Sequence, residues 1–115
     1  MKTRGFTLAE LLIVLAILGL LFTIAAPAIS GAWRTAKDRA ALAHAHNVFK
    51  AAWAYLAEEP GRGVQVGDCT AGYVAGAFSV PNPGNTVRSC AVRTRGDGTP
   101  EVEVISQSGR AYRLP

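Results

Sequence analysis

The pattern of hydrophobic and polar positions divides the chain into three stretches with different periodicity. The first is an apolar run of 23 residues, Leu11–Trp33, that contains no charged residue. Because a helix of roughly 20 residues crosses a bilayer, this run predicts a membrane-spanning helix. Glu10 stands at the mouth of the run, where burying a carboxylate is unfavourable, and such residues indicate a functional role.

The second stretch, residues 34–59, has the 3.6-residue period of an amphipathic helix. It contains neither Pro nor Gly, and the Pro60-Gly61 pair predicts its end, so that one helix is expected from Thr7 to Glu59. The residues predicted to share a buried face of about 160° are Ala41, Leu42, Ala45, Val48, Phe49, Ala52, Trp53, Tyr55 and Leu56.

The third stretch, after Gly61, consists of short strand-like segments separated by turn-forming residues. The four predicted strands are Gly72–Val80, Thr86–Thr94, Glu101–Ser106 and Arg110–Leu114. Turns are expected at residues 81–84, at Asp97-Gly98 and at Ser108-Gly109. The chain is therefore predicted to have an α+β fold, in which an antiparallel sheet of three to four strands packs on the amphipathic half of one long helix in a ladle shape.

Length and charge restrict the interpretation further. The 115 residues leave room for one small domain. Half of the residues are hydrophobic, and many of these lie in the first 33 positions. The net charge is +4 and the sequence pI is about 9.5. An excess this small permits nucleic-acid binding without indicating it.

Two general interpretations of the N-terminus each leave a feature unexplained. A secretory signal peptide begins with basic residues, here Lys2 and Arg4, but its apolar stretch of about 7–15 residues is shorter than Leu11–Trp33. A single-span anchor with its basic end in the cytoplasm accounts for the length. That anchor gives Glu10 no function.

The segment RGFTLAELL, residues 4–12, closely resembles the processing site of type IV pilins and pseudopilins. In that family a prepilin peptidase cleaves after the Gly, and the new N-terminal Phe is N-methylated. The resemblance implies cleavage between Gly5 and Phe6 and methylation of Phe6. Ala9 replaces the Ile or Val that usually precedes the Glu, which is a small departure.

The resemblance also implies that Glu10 directs filament assembly. Its carboxylate is expected to pair with the α-amine of Phe6 on a neighbouring subunit, because the helix dipole alone offsets only about 0.3–1 kcal/mol of burial cost. Gly19 and Pro27 match positions at which the family weakens this helix. The implied organisation is a leader (1–5), a membrane and filament-core helix (6–33), an amphipathic helix (34–60) and a β-sheet cap (61–115).

The partners implied by the resemblance are further copies of the chain in a helical filament, prepilin peptidase, the inner-membrane assembly machinery and, before assembly, membrane lipid. The precursor is expected in the inner membrane and the assembled subunit in a pilus on the cell surface. Export from the cytoplasm favours a disulfide between Cys69 and Cys90 over two free thiols.

Two further motifs favour ordinary structural roles. Arg95-Gly96-Asp97 is an adhesion-type tripeptide, but its glycines and aspartate favour a turn between two strands. His44 and His46 lie about 200° apart on a helix, so they are expected at the rim of the buried face and not as joint metal ligands. Because no catalytic constellation surrounds them, neither an enzyme nor a cofactor is predicted.

Five arginines of the predicted sheet raise the question of DNA binding: Arg88, Arg93, Arg95, Arg110 and Arg113. A basic stripe would hold DNA phosphates. Strand alternation places Arg88 and Arg93 on opposite faces, which favours a solvated surface over one stripe. Residues 109–113 resemble only loosely the basic C-terminal segment of a DNA-uptake minor-pilin family, so no binding residue is assigned.

Within the family, residues 51–61 resemble the end of the long helix in major pilins, with an aromatic-rich turn followed by acidic residues and Gly. Together with the short cap, this predicts a filament-forming pilin whose filament serves twitching motility. The alternatives that stay open are a minor pilin, a secretion pseudopilin and the pilin of a DNA-uptake or adhesion filament.

Overall fold

The structure is a computed structural model that describes residue 5, residues 7–59 and residues 61–115. Within the described residues, one α-helix, α1 (Leu8–Glu58), is followed by six strands: β1 (Gly67–Asp68), β2 (Tyr73–Ala75), β3 (Phe78–Val80), β4 (Val87–Thr94), β5 (Pro100–Ser106) and β6 (Ala111–Leu114). The chain divides into an N-terminal unit, Met1–Trp33, and a globular unit, Arg34–Pro115. Helix α1 contributes residues to both.

Helix α1 begins and ends close to the residues that the sequence predicts. At its N-terminus the carbonyl of Thr7 accepts the first helical hydrogen bond from Leu11 N at 3.1 Å. Beyond its last residue, Gly61 has a φ of +87°, a conformation that glycine adopts at little cost and that commonly terminates helices. Pro60, the other half of the predicted stop signal, lies outside the described residues.

The strands form two antiparallel sheets. The larger has the order β1-β4-β5-β6, and β2 pairs with β3 in a separate hairpin. The pairing of Cys90 with Val104 and of Val92 with Val102 aligns the buried residues of β4 and β5 on one face. This arrangement of a helix packed against an antiparallel sheet confirms the predicted α+β fold class.

Two details of the sheets differ from the sequence prediction. Residues 72–80 form not one strand but the β2–β3 hairpin, whose turn contains Gly76 at a φ of +61°. Alanine lies on either side of this glycine and is not a turn-forming residue. The sequence pattern therefore predicts one continuous strand over residues 72–80. Strand β1 was not predicted because it is only two residues long and depends on pairing with β4.

The core of the globular unit lies between α1 and the two sheets. Small side chains on the helix, Ala41, Ala45 and Ala52, are fully buried. They face the sheet residues Val87, Cys90, Val92, Val102 and Val104 in one hydrophobic cluster. Because alanine projects little from a helix, the sheet can approach closely, and the larger valines fill the space between the two layers.

The buried face of α1 is rotated relative to the predicted one. It includes Asp38, His44 and Ala51, which the prediction left out, whereas Trp53 is 42% exposed and packs edge-on against Phe49. The rotation has a physical cause, since Asp38 and His44 both find hydrogen-bond partners on the sheet side. A rule that counts only apolar residues does not register such partners.

Candidate functional site

Helix α1 presents an apolar surface in the N-terminal unit, where its described large apolar side chains are exposed. Helix α1 is long and apolar enough to cross a membrane, and its most apolar window is entirely unburied. Leu12, Leu18 and Phe22, for example, are 58%, 56% and 73% exposed. An apolar surface of this extent marks an interaction site for lipid or for other protein chains.

Glu10 lies in the first turn of α1 and takes part in a reciprocal cap. The Glu10 backbone N–H donates to Oγ1 of Thr7 at 3.1 Å, and the Thr7 N–H donates to Oε2 of Glu10 at 3.4 Å. This Thr-x-x-Glu arrangement is a capping box, which satisfies two backbone donors at the helix start. The sequence analysis missed Thr7, although Thr-Leu-Ala-Glu before an apolar run is the signal for this motif.

Of the two residues at the predicted cleavage point, the structure describes Gly5 but not Phe6. Gly5 is exposed, and among the described residues no heavy atom lies within 4 Å of the position that a side-chain Cβ would take. Phe6, for which cleavage, methylation and amine pairing were predicted, lies outside the described residues. Since none of the described residues crowds Gly5, packing against them does not explain why this position is glycine.

The predicted helix-weakening residues lie inside α1. Gly19 and Pro27 both have helical neighbours on each side, and Pro27 cannot donate to the carbonyl of Thr23. Two hydroxyls nearby donate to helix carbonyls, from Thr23 to Leu20 at 2.7 Å and from Ser30 to Ala26 at 3.3 Å. Such side-chain bonds to the backbone are neutral to slightly destabilising in a helix.

In the globular unit, Cys69 and Cys90 form a disulfide with a Cα–Cα distance of 4.8 Å. Buried His44 holds the loop that carries this disulfide, since its Nε2 lies 2.8 Å from the carbonyl oxygen of Cys69. A carbonyl only accepts, so Nε2 carries the hydrogen. His46 is exposed, and the described residues contain no group of three or more side chains arranged to hold a metal ion.

A second polar anchor joins the helix to the C-terminal hairpin. Oδ1 of Asp38 accepts hydrogen bonds from the hydroxyls of Ser106 at 2.7 Å and Ser108 at 2.6 Å. Bonding to Ser108 and then to Ser106 lowers the pKa of Asp38 below its ordinary value, because both bonds favour the ionised carboxyl. Sequence analysis missed this group, yet Asp38 lies three residues before Ala41 and therefore on the buried stripe.

Two of the five arginines, Arg93 and Arg113, form ion pairs with glutamates. Arg113 Nε lies 3.0 Å from Glu101, and its Nη2 lies 3.3 Å from Glu103, which Arg93 also approaches at 3.7 Å. A register shift between Val87 and Ser89 interrupts the alternation from which opposite faces for Arg88 and Arg93 were predicted, so that placement stays a prediction. Both arginines are exposed.

The Arg95-Gly96-Asp97 tripeptide lies in the turn between β4 and β5. Arg95 N–H donates to the carbonyl of Thr99 at 2.8 Å, and Gly98 N–H donates back to the carbonyl of Arg95 at 2.9 Å. The Asp97 carboxylate accepts from the backbone N–H of Thr99 at 3.0 Å. The hydrogen bonds of the tripeptide thus close the turn, as the turn interpretation predicts.

Comparison with known proteins adds one finding at the N-terminus. Residues 1–26 match the family model described as the prokaryotic N-terminal methylation motif. No curated protein and no solved structure matches the chain. The matched segment contains the resembling residues 4–12 and the apolar run as far as Ala26.

The chain therefore carries the N-terminal methylation motif, which is the signal segment of type IV pilins and pseudopilins. This motif supports a place in the type IV pilin-like or pseudopilin family, which is a structural family. It implies processing by prepilin peptidase and assembly into a filament. Together with the apolar helix, it fits a precursor anchored in the membrane.

Proposed function

We propose that the chain is the major structural subunit of a type IV pilus, which polymerises through its N-terminal helix and serves surface motility. The methylation motif over residues 1–26 is the observation that carries this proposal. The exposed apolar surface of the same segment supports it, because a filament core of packed helices would cover that surface.

Processing takes place between Gly5 and Phe6, and the new N-terminal Phe6 is methylated. The surroundings of Gly5 support the view that the peptidase, and not the fold, requires glycine at this position, since the described residues leave space for a side chain there. Replacement of Gly5 by a bulky residue should therefore leave the fold intact and uncut precursor in the membrane.

Assembly depends on Glu10, which pairs with the α-amine of Phe6 on a neighbouring subunit when both groups leave water. The capping geometry supports this role, because it holds the carboxylate beside the backbone of Thr7, the residue that follows Phe6. The 3.4 Å contact with the Thr7 N–H is long for a hydrogen bond, so the carboxylate retains capacity for a stronger, charged donor.

Gly19 and Pro27 make the intervening helix weak enough to unwind when subunits pack. The carbonyl of Thr23 lacks its usual donor because Pro27 has no N–H. In lipid an unsatisfied backbone group is costly, which favours the helical state of the single subunit. A filament map with unbroken helical hydrogen bonding through Thr23 would contradict this step.

A role in DNA uptake is less well supported than one in motility. Arg93 and Arg113 are each within 4 Å of Glu101 or Glu103, so phosphate would compete with carboxylates for these cations. A minor pilin and a secretion pseudopilin remain the alternative assignments.

Mass spectrometry of fibres sheared from the cell surface tests the proposal. We expect this chain to be the most abundant component and to begin at N-methylated Phe6, five residues shorter than the precursor. Deletion of the gene should abolish surface translocation while protein secretion continues. Recovery of the chain as a scarce fibre component would show a minor pilin, and its absence from fibres together with a secretion defect would show a pseudopilin.

A further inference from the structure

The start of the globular unit contains a basic cavity that the proposed function does not use. Arg34, Lys37, Gln107 and Ser108 line this cavity, which has a volume of about 440 Å³, and are called the basic pocket below. Arg34 and Lys37 lie three residues apart on α1, and Gln107 and Ser108 come from the turn between β5 and β6. The pocket therefore exists because the Asp38 anchor holds this turn against the helix.

Two more cations adjoin the same turn. Arg88 Nη2 donates to the carbonyl of Gln107 at 2.8 Å, and the backbone N–H of Arg110 donates to Oγ of Ser106 at 3.2 Å. The charge of Arg110 acts on Asp38 and contributes to its lowered pKa. Four basic residues thus lie at one end of the globular unit.

Asp38 is the carboxylate that bonds to this turn, and its charge offsets one of the four basic residues. Asp38 is 9% exposed, and its Oδ1 accepts both serine hydroxyls. No ion pair joins Arg34 or Lys37 to a carboxylate among the described residues, in contrast to Arg93 and Arg113 on the sheet. The pocket accordingly retains a positive charge that an external anion can neutralise.

The position of the basic pocket along the chain indicates which anion is near. Arg34 directly follows Trp33, the last residue of the apolar run, and Lys37 lies within one further helical turn. When that run spans a bilayer, residues just beyond it lie at the level of the lipid headgroups. Trp33 is 65% exposed, as suits an aromatic residue at a membrane interface.

We propose that the basic pocket binds the phosphate headgroup of an anionic phospholipid while the subunit is anchored in the membrane. The Arg34 guanidinium and the Lys37 ammonium supply charge. The Gln107 side-chain amide donates one hydrogen to the carbonyl of Val87 at 3.2 Å and has a second hydrogen to donate to a phosphate oxygen. The proposal rests on membrane insertion of Leu11–Trp33 but not on polymerisation. It gives the globular unit a lipid contact that keeps it at the bilayer surface before assembly.

Native mass spectrometry of the full chain in a neutral detergent tests the proposal. The chain is mixed with equal amounts of phosphatidylglycerol and phosphatidylcholine that carry the same acyl chains, and the ratio of bound lipids is measured. Because each basic residue near an anionic surface contributes about fivefold in affinity, the double variant Arg34→Gln/Lys37→Gln should lose on the order of tenfold or more of the preference for phosphatidylglycerol. The matched control, Lys50→Gln/Arg95→Gln, removes the same amount of charge elsewhere on the globular unit. This control should keep the preference for phosphatidylglycerol.

Three results would overturn the proposal. One is equal binding of both lipids by the unchanged chain, and another is the same loss of preference in the control, which would show a general charge effect. The third is an unchanged lipid preference in Arg34→Gln/Lys37→Gln. If that variant also loses its filaments, the pocket contacts a neighbouring copy of the chain and not a lipid. If the double variant does not fold, Arg34→Gln alone should show about half of the effect on a logarithmic scale. Filament yield is scored separately, so a failure of the pilus proposal leaves the lipid measurement readable.

Discussion

The two units of the chain differ in where their side chains find partners. In the N-terminal unit, large apolar side chains such as Leu20 and Phe22 are 66% and 73% exposed. In the globular unit, Val48 and Val102 are completely buried against other parts of the same unit. The first unit must obtain its stabilising contacts from other molecules, and the second obtains them from itself.

This difference separates assembly from folding. A substitution in the N-terminal unit should change what the chain associates with while leaving the globular unit intact. A substitution in the core of the globular unit should change its stability while leaving insertion and processing intact. The predictions below test this separation, beginning with the largest expected effect.

Glu10→Gln should be produced, inserted and cleaved, but should form few or no filaments. The variant keeps the shape of the side chain and removes its charge, so the amine of Phe6 on a neighbouring subunit would be buried without a counter-charge. Breaking a buried ion pair from one side costs about 3–5 kcal/mol, which corresponds to a loss of roughly a hundredfold or more per added subunit. Immunoblots of membrane and sheared fractions measure the result.

Thr7→Val separates the charge of Glu10 from its role in the cap. This variant removes the Oγ1 acceptor of the Glu10 N–H but keeps the carboxylate. Loss of an N-cap costs about 1 kcal/mol of helix stability, so filament yield should fall far less than in Glu10→Gln. Equal defects in the two variants would show that Glu10 acts through the cap, and a normal fibre yield from Glu10→Gln would remove its assembly role.

Replacing Cys69 and Cys90 together by alanine should destabilise only the globular unit. The disulfide joins residues 21 positions apart, and the loop-entropy relation gives about 3 kcal/mol for a loop of this length. We expect a lower melting temperature of the globular unit when unfolding of the full chain in detergent is followed by near-ultraviolet circular dichroism. Membrane insertion and cleavage should be unchanged. Unaltered melting, or alkylation of both thiols in the non-reduced protein, would contradict the prediction.

The sequence was most informative where the chain acts through contiguous residues. The processing segment, the length of the apolar run and the bounds of α1 depend on neighbours along the chain, and helix Leu8–Glu58 agrees with the predicted Thr7–Glu59 within one residue at each end. The strands β4, β5 and β6 were also located closely, because alternation and turn residues are local signals.

The sequence was least informative where partners are distant along the chain. Asp38 bonds to Ser106 and Ser108, which are 68 and 70 residues away, and His44 bonds to the carbonyl of Cys69, which is 25 residues away. No local pattern encodes such pairs. The register shift after Val87 likewise depends on pairing with β5, so alternation alone does not determine the face on which Arg88 lies.

The Asp38 anchor predicts how the stability of the globular unit depends on pH. Its pKa is lowered in the folded state by the Ser108 and Ser106 hydroxyls. The carboxylate therefore contributes stability above its unfolded pKa of about 3.9, and this contribution is lost as the pH falls through the lower folded value. We expect Asp38→Asn to be less stable than the unchanged chain at pH 7, with a difference that narrows under acid conditions.

Thermal unfolding of the full chain and of Asp38→Asn at several pH values between 7 and 3 measures this dependence. Asp68 and Asp97 also have lowered pKa values, because the hydroxyl and backbone N–H of Thr70 and Thr99 bond to them. Acid should therefore destabilise both proteins, and only the difference between them reports on Asp38. A difference that stays constant with pH would show that the anchor does not depend on the charge of the carboxylate.

The smallest effect is expected from Arg93→Gln combined with Arg113→Gln. The two arginine side chains are 64% and 66% exposed, and ion pairs in such positions contribute about 0–1 kcal/mol each because water and salt screen them. Since Glu101 and Glu103 already neutralise these arginines, their loss should also leave DNA uptake and filament yield unchanged. Arg95→Gln, at an exposed turn position between β4 and β5, is the single-charge control. Melting temperatures, sheared-fibre yield and transformation frequency are compared in all three proteins. A drop in transformation confined to the double variant would show that the sheet face binds DNA despite its glutamates, and that the globular unit, too, acts through a partner outside the chain.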